Sequence, residues 1–237
     1  MDEVWLSIVI PTYNESARIE ATLDAILNFL GRQSYSSEII IADDGSTDET
    51  ASIAARKLVH HPHAILKNLE NRGKGYVVRQ GMLHAKGKHL LFTDADLSTP
   101  IEEVSRFMDF ISLGYDVVIG SRALPESRIE IHQNFIRENM GRIFNRLARL
   151  VSFRGIRDSQ CGFKCFKRHV AIDLFGRQKL DGFSFDAEIL FLAQALGYRI
   201  YEAPVIWRNS PQTHVRAGDP IRMLIDLLRI RWLHRRL

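Results

Sequence analysis

The chain has 237 residues, 46% hydrophobic and 25% charged, a balance that suits one large globular domain with apolar residues enough for a core. Its formal net charge of +4 sits in the tail, where residues 221–237 carry five arginines against one acidic residue and the remainder balances; that placement excludes a general nucleic-acid footprint. No run approaches the roughly 18 apolar residues that cross a bilayer, and Asp2 and Glu3 stand where a secretory leader would be basic, so the expectation is a cytoplasmic protein. Cys161 and Cys165 are too few for a disulfide framework or a zinc site and read as reduced structural thiols.

Leu6 to Ile10 is an apolar strand ending in Pro11, and Glu15 to Leu30 reads as an amphipathic helix. Glu38 to Ala42 is a second buried-type strand running into Asp43–Asp44–Gly45–Ser46, with Ser46 or Thr47 placed to cap the next helix. Ala64 to Lys67 is a short strand, Lys74 to Ala85 a helix, and His89 to Thr93 a fourth strand that stops at Asp94. Ile101 to Ser112 is helical behind Pro100, and Asp116 to Ile119 is a fifth strand. This alternation predicts an α/β fold, a single Rossmann-like domain with a mostly parallel central sheet covered on both faces.

After residue 122 the rhythm changes. Leu124 to Asn134 is loop-like, and Phe135 to Val151 is a helix holding Arg137 and Arg142. Cys161 to Phe166 is a strand, Phe185 to Leu196 a helix, and Arg199 to Trp207 a strand interrupted by Pro204. No linker is visible. The expected organisation is one domain over 1–237, with a nucleotide-sugar half (1–122), an acceptor half (123–216) and a basic amphipathic C-terminal helix (217–237).

Ligands of such sheets bind outside the carboxyl ends of the strands. Asp94–Ala95–Asp96 places two carboxylates on one side of a strand end, a pair suited to a hard divalent cation, Mg²⁺ or Mn²⁺, that bridges diphosphate oxygens. A solvated turn, or caps for the Pro100 helix, is the plainer alternative. Asp43 and Asp44 can accept from a base or a ribose hydroxyl; helix capping is the plainer reading, and both can hold at once. Asn71–Arg72–Gly73–Lys74–Gly75 opens a helix with backbone N–H groups and a lysine that suit an anion. It is neither a dinucleotide fingerprint nor a P-loop. Arginines 122, 137 and 142 suit phosphate, or are ordinary surface charge. His60, His61 and His63 surround Pro62 and read as a solvated turn rather than a metal cluster.

In order, VIPTYNE (Val9 to Glu15), DDGSTD (Asp43 to Asp48), NRGKG (Asn71 to Gly75), FTDADLSTP (Phe92 to Pro100) and GSR (Gly120 to Arg122) resemble the inverting glycosyltransferases of family 2. DSQCGFKCFKR (Asp158 to Arg168), SFDAEILFLA (Ser184 to Ala193) and EAPVIW (Glu202 to Trp207) look like its polyprenyl-phosphate branch, and the SQCGFK wording is closer to glucosyl than to mannosyl members. The resemblance covers roughly residues 6 to 230. It implies a GT-A fold and transfer of a hexose, expected to be glucose from UDP-glucose, to a dolichyl or undecaprenyl phosphate with inversion and with Mg²⁺ or Mn²⁺.

By that resemblance Pro11, Tyr13, Glu15, Asp43, Asp44, Lys74 and Asp94 bind the nucleotide sugar. Asp94 and Asp96 hold the metal, with Ser98 where mannosyl members often carry a glutamine. Asp96, Arg122 and Arg137 are the expected catalytic set, and Arg142, Gln160, Asp186, Glu188 and Trp207 lie on the acceptor side. A Gly-Ser-Lys-like stretch expected after Trp207 is replaced by Asn209 to Arg216.

A lipid phosphate is already a nucleophile; a saccharide hydroxyl would instead want a carboxylate base, with Asp186 and Glu188 as candidates. On a helical wheel Arg222, Asp226, Arg229 and Arg236 share one arc of the tail. Ile221, Leu224, Ile225, Leu227, Leu228 and Trp232 share the other, the pattern of an interfacial helix at the cytoplasmic face of a membrane. A helix packing on the core is the competing reading. GDP-mannose as donor, a hydroxyl acceptor, and a sugar-nucleotide-binding adaptor without turnover all stay open.

Overall fold

The computed structural model describes residues 3–131, 141, 143–149, 153–210 and 219–235. The expected sites Arg137 and Arg142, and residues 211–218 with His214 and Arg216, lie outside them. Along the chain come β1 (Leu6–Thr12), α1 (Ile19–Leu30), β2 (Ser37–Asp43), α2 (Thr50–Lys57), β3 (His63–Lys67), α3 (Lys74–His84), β4 (His89–Thr93), α4 (Glu103–Ser112) and β5 (Val117–Ser121). The later part supplies β6 (Arg128–Ile131), β7 (Phe163–Lys167), α5 (Arg168–Arg177), α6 (Phe185–Ala195), β8 (Ile200–Pro204), β9 (Ile206–Arg208) and α7 (Asp219–Leu233).

The main sheet runs β3-β2-β1-β4-β7-β5-β8, and β7 alone is antiparallel to its neighbours β4 and β5. Alternate side chains of the strands feed two cores, as a period of two requires. Val9, Ile40, Phe92 and Ile119 pack with residues of α3, α5 and α6 on one face. Ile8, Ile41, Leu91 and Val118 pack with α1 and α4 on the other. The fold is α/β with a mostly parallel sheet, the architecture of GT-A proteins. The strand order reverses between β1 and β4, so the crevice at their carboxyl ends is the natural place for a ligand.

Several local expectations shift for identifiable reasons. α1 starts at Ile19 rather than Glu15: Arg18, just before it, has φ −135°, outside the helical range. α2 is capped by neither Ser46 nor Thr47: Ser46 Oγ turns back to Asp43, and Asp48 Oδ1 takes the Thr50 N–H (3.0 Å). β6 lies in the stretch expected to be loop; it pairs in parallel with β9, about eighty residues on, a non-local partner its four-residue pattern cannot announce. The interruption near Pro204 is real, since β8 belongs to the main sheet and β9 to the small one. α5 falls where the sequence reading assigns nothing.

α7 corrects the helical wheel. Asp226 and Leu227, expected on opposite arcs, are both buried, together with Ile230 and His234. Leu224, Ile225, Leu228 and Trp232 are exposed. The helix thus packs one face on the protein and keeps a second apolar stripe outward. No helix among the described residues is long and apolar enough to cross a membrane.

Candidate active site

β4 delivers the chain into Asp94–Ala95–Asp96, and the turn is fixed from three directions. The Asp94 N–H donates to Gly162 O (3.1 Å), Thr22 Oγ1 on α1 donates to Ala95 O (2.5 Å), and the Ser98 N–H donates to Asp96 Oδ1 (2.9 Å). Gly162 leaves room for the Asp94 carboxylate, which a Cβ there would displace. Both carboxylates remain partly exposed. Burial and the neighbouring Asp94 charge push the Asp96 pKa above the usual carboxylate range, against the opposing pull of Ser98 and Arg18. Two crowded, partly accessible carboxylates are a donor set that fits a hard cation.

Across from them α3 begins. Gly73 has φ 108° and a Cβ there would lie 2.5 Å from Asp181 O, so this approach needs glycine. The turn aims Lys74 at the acids, and its Nζ lies 2.6 Å from Asp94 Oδ1. Burial disfavours the ammonium, yet Asp94, Asp186 and Asp96 together hold its pKa above the ordinary value. Behind it Lys164, fully buried on β7, is paired with Asp186 of α6 at 2.5 Å and donates to Cys161 O at 2.6 Å. Burial raises the Asp186 pKa, with Lys164 and Lys74 pulling the other way. Asp94, Lys74, Asp186 and Lys164 therefore alternate in sign across the site.

Arg122, just past β5, is locked to buried Asp158. Its backbone N–H and Nε reach Asp158 Oδ2 (3.0 and 2.6 Å) and an Nη reaches Oδ1 (2.9 Å). Its guanidinium stands 5.4 Å from the Trp207 ring centroid, and that ring is itself buried on β9. The Gln160 N–H and Asn145 Nδ2 add donors to Asp158 (3.1 and 3.3 Å). Burial works against both charges, but the pairing wins: Asp158 is held far below the ordinary carboxylate range and Arg122 above its usual value. The Gln160 side chain reaches Ser159 Oγ (3.4 Å).

At the β1 and β2 ends the acids are committed to the fold. Asp43 is 0% exposed and accepts from Thr12 Oγ1 (3.0 Å), the Ser46 N–H (2.9 Å) and Ser46 Oγ (2.5 Å). Asp44 is buried and takes the N–H groups of Arg72 and Gly73, each at 2.8 Å. It thereby sets the turn that aims Lys74. Pro11 is buried within β1 and Tyr13 is partly exposed beyond it. Glu15 is buried and paired with Arg18 through both carboxylate oxygens.

Arg18 is a site residue the sequence reading overlooks. Its Nη1 donates to Ser210 Oγ (2.9 Å), and Glu15, Asp96 and Asp94 offset the burial that would otherwise lower its pKa. Lys164, Asp158 and Gly162 are likewise unpredicted. All three lie in the DSQCGFK motif, which was their only signal; the role each takes is defined by contacts with Arg122, Asp186 and Asp94, distant in sequence.

Glu188 is a correction. It is 0% exposed, its Oε1 accepts the Lys179 N–H (2.9 Å) and faces His234 Nε2 (2.6 Å), and its Oε2 accepts the Leu180 N–H (2.8 Å). Two positions from Asp186 on a helix, it projects to another side and ties α7 to the α5–α6 connection. A carboxylate so occupied cannot serve an acceptor hydroxyl. The three histidines at 60, 61 and 63 assemble no metal cluster; among the described residues no group of three His, Cys, Asp or Glu side chains could hold a metal ion. A cation would therefore lean on Asp94 and Asp96 plus oxygens from outside that set.

The family model for glycosyl transferase family 2 matches residues 7–175. A dolichyl-phosphate beta-glucosyltransferase of Saccharomyces cerevisiae is 38% identical over 97% of this chain and 75% of its own length. One of Homo sapiens is 31% identical over 85% of this chain and 67% of its own. Among solved structures, mannosyl-3-phosphoglycerate synthase from Rubrobacter xylanophilus superposes with a TM-score of 0.72 at 18% identity, covering 99% of this chain and 74% of that one. Glucosyl-3-phosphoglycerate synthase from Mycobacterium tuberculosis, in complex with Mn²⁺, uridine diphosphate and phosphoglyceric acid, gives 0.70 at 17% identity over 95% and 76%.

Proposed function

The chain belongs to glycosyl transferase family 2, and from that premise we propose that it transfers glucose from UDP-glucose to a dolichyl or undecaprenyl phosphate with inversion at the anomeric carbon. The names of the relatives support the sugar and the acceptor. The observation that carries the reading is the state of the two candidate bases: Asp186 is buried and held by Lys164, and Glu188 is spent on His234 and two backbone N–H groups. A hydroxyl acceptor would need such a base. A lipid monophosphate, with a second pKa of about 6, arrives largely dianionic at neutral pH and needs none.

Asp94 and Asp96 would hold Mg²⁺ or Mn²⁺, with Ser98 bracing Asp96. The cation supplies charge stabilisation for the departing nucleoside diphosphate. Lys74 adds a second positive charge on the leaving side. Pro11, Tyr13 and Glu15 border the nucleotide, while Asp43 and Asp44 act through the loops they hold. Arg122, kept in place by Asp158 and Trp207, and Arg137 receive the acceptor phosphate, with Arg142 and Gln160 on the same side. In-line attack by a phosphate oxygen on the anomeric carbon then breaks its bond to the diphosphate.

The outward stripe of α7 (Leu224, Ile225, Leu228, Trp232), with exposed Arg222, Arg229, Arg231 and Arg235 beside it, supports peripheral contact with an anionic membrane on the cytoplasmic side. Release of nucleoside diphosphate tests the whole reading. UDP-glucose and GDP-mannose are each incubated with Mg²⁺ or Mn²⁺, with and without a short polyprenyl phosphate in detergent. Release from UDP-glucose that requires the lipid phosphate is expected. Release from GDP-mannose alone overturns the donor, and equal release with a soluble saccharide in place of lipid overturns the acceptor.

A further inference from the structure

Lys74 stands in an unexpected place for a group that meets a diphosphate. Its Nζ is not turned to open space but sits 2.6 Å from Asp94 Oδ1, on one of the two carboxylates offered to the cation. The Asp94 backbone N–H is tied to Gly162 O (3.1 Å), and its carboxylate lies against Gly162 on one side and is partly accessible on the other, where a cation could reach it. Lys74 has an alternative: Asp186, anchored on Lys164 at 2.5 Å, adds to the favourable field around its ammonium. A lysine so placed can leave Asp94 without being stranded.

We propose that the Lys74 ammonium occupies a divalent cation's place at Asp94 in the unliganded enzyme and passes to the nucleotide's diphosphate when the cation takes that carboxylate. The inference rests on the reading of Asp94 and Asp96 as the cation's ligands. Two charges compete for one carboxylate, so the cation alone binds weakly. While Lys74 is held by Asp94, it adds little to diphosphate binding. Cation and nucleotide therefore favour each other through this one side chain, and linkage makes the effect reciprocal.

The test measures Mn²⁺ binding without nucleotide, by the electron paramagnetic resonance signal of free Mn²⁺, and UDP binding by calorimetry with and without Mn²⁺. Lys74→Met is expected to tighten Mn²⁺ binding about tenfold, within the usual range of coupling between sites. Lys74→Arg keeps the competing charge and stays near the wild-type affinity. Arg72→Gln removes the same charge two residues away, from a guanidinium that stacks on Tyr76 instead, and leaves Mn²⁺ binding within about twofold. For UDP, Lys74→Met is expected to matter little without Mn²⁺ and to cost about tenfold with it.

Equal Mn²⁺ affinity in wild type and Lys74→Met, or an equal gain in Arg72→Gln, overturns the exchange and leaves the cation site standing. A UDP loss in Lys74→Met of the same size with and without Mn²⁺ overturns it in the same way. Absence of Mn²⁺ binding in every protein, with and without UDP, overturns the cation site and the exchange together.

Discussion

Two strand ends of this molecule carry neighbouring aspartates, and they do opposite work. After β2, Asp43 and Asp44 are buried and their oxygens are filled by donors from Thr12, Ser46, Arg72 and Gly73. After β4, Asp94 and Asp96 stay partly exposed, and Asp96 is less willing to ionise than a free carboxylate. The first pair builds the loops that border the crevice. The second has fewer donors, Lys74 on Asp94 and the Ser98 N–H on Asp96, and stays accessible where a cation and a diphosphate would meet it. The difference lies in how many donors surround each carboxyl, and no feature of an isolated acidic pair encodes that number.

The contrast can be broken by mutation. Asp96→Asn is expected to lower the lipid-dependent rate about a thousandfold, the loss of a main electrostatic element of the site. Its melting temperature should stay within about 2 °C of wild type, since a change of 1 kcal/mol moves a domain of this size by about 2–4 °C. A large drop in melting temperature would mean that this pair, too, is structural.

Arg122→Met leaves Asp158 buried without its partner and should cost about 3–5 kcal/mol in urea unfolding. Adding Asp158→Leu should recover much of that stability but not activity; recovery of activity would show that Arg122 has no part in the chemistry. Asp43→Asn should cost about 2 kcal/mol, because an amide cannot accept from all three donors. An unchanged unfolding midpoint would place Asp43 with the open pair instead.

Smaller effects sharpen the picture of the loop acids. Burial would raise the Asp48 pKa, but hydrogen bonds from Thr50 and Ser16 bring it down to about 2. A depressed folded-state pKa stabilises the protein above the ordinary carboxylate value and loses that stability as pH falls through the folded value. The contribution should therefore be complete above about pH 5 and fade toward about pH 2. Asp48→Asn should remove about 1 kcal/mol at pH 7 and flatten the acid limb of a urea titration. Trp232→Ala should weaken sedimentation with anionic vesicles about fivefold without shifting the melting temperature; an unchanged partition would remove the outward face of α7 from membrane contact.

Much of the first half was readable because strand and helix periods alternate there and because the special residues stop at strand ends. β4 was predicted to the residue, since the strand-like HLLFT, with three apolar residues at its centre, is closed by Asp94. The tail was harder. A wheel treats a helix as having one partner, whereas α7 has a protein face around Leu227 and Ile230 and a separate outward stripe ending at Trp232. The roles of Arg18, and of Lys164 and Gly162 within DSQCGFKCFKR, were not readable for a related reason: each depends on a partner such as Ser210, Asp186 or Asp94 that only the folded sheet brings near. Asp186 and Glu188 looked equivalent in FDAE, and only helix geometry separates the one facing Lys164 from the one facing His234.

The central claim is that the open carboxylates at the end of β4 serve glucosyl transfer to a lipid phosphate. The most direct test incubates the protein with radiolabelled UDP-glucose, Mn²⁺ and a short polyprenyl phosphate, then extracts the reaction with organic solvent and determines the anomeric configuration of the product. The account predicts a β-linked glucosyl phosphate lipid from the wild type and none from Asp96→Asn. Label that stays in the aqueous phase as a new saccharide, or equal lipid product from Asp96→Asn, would contradict it.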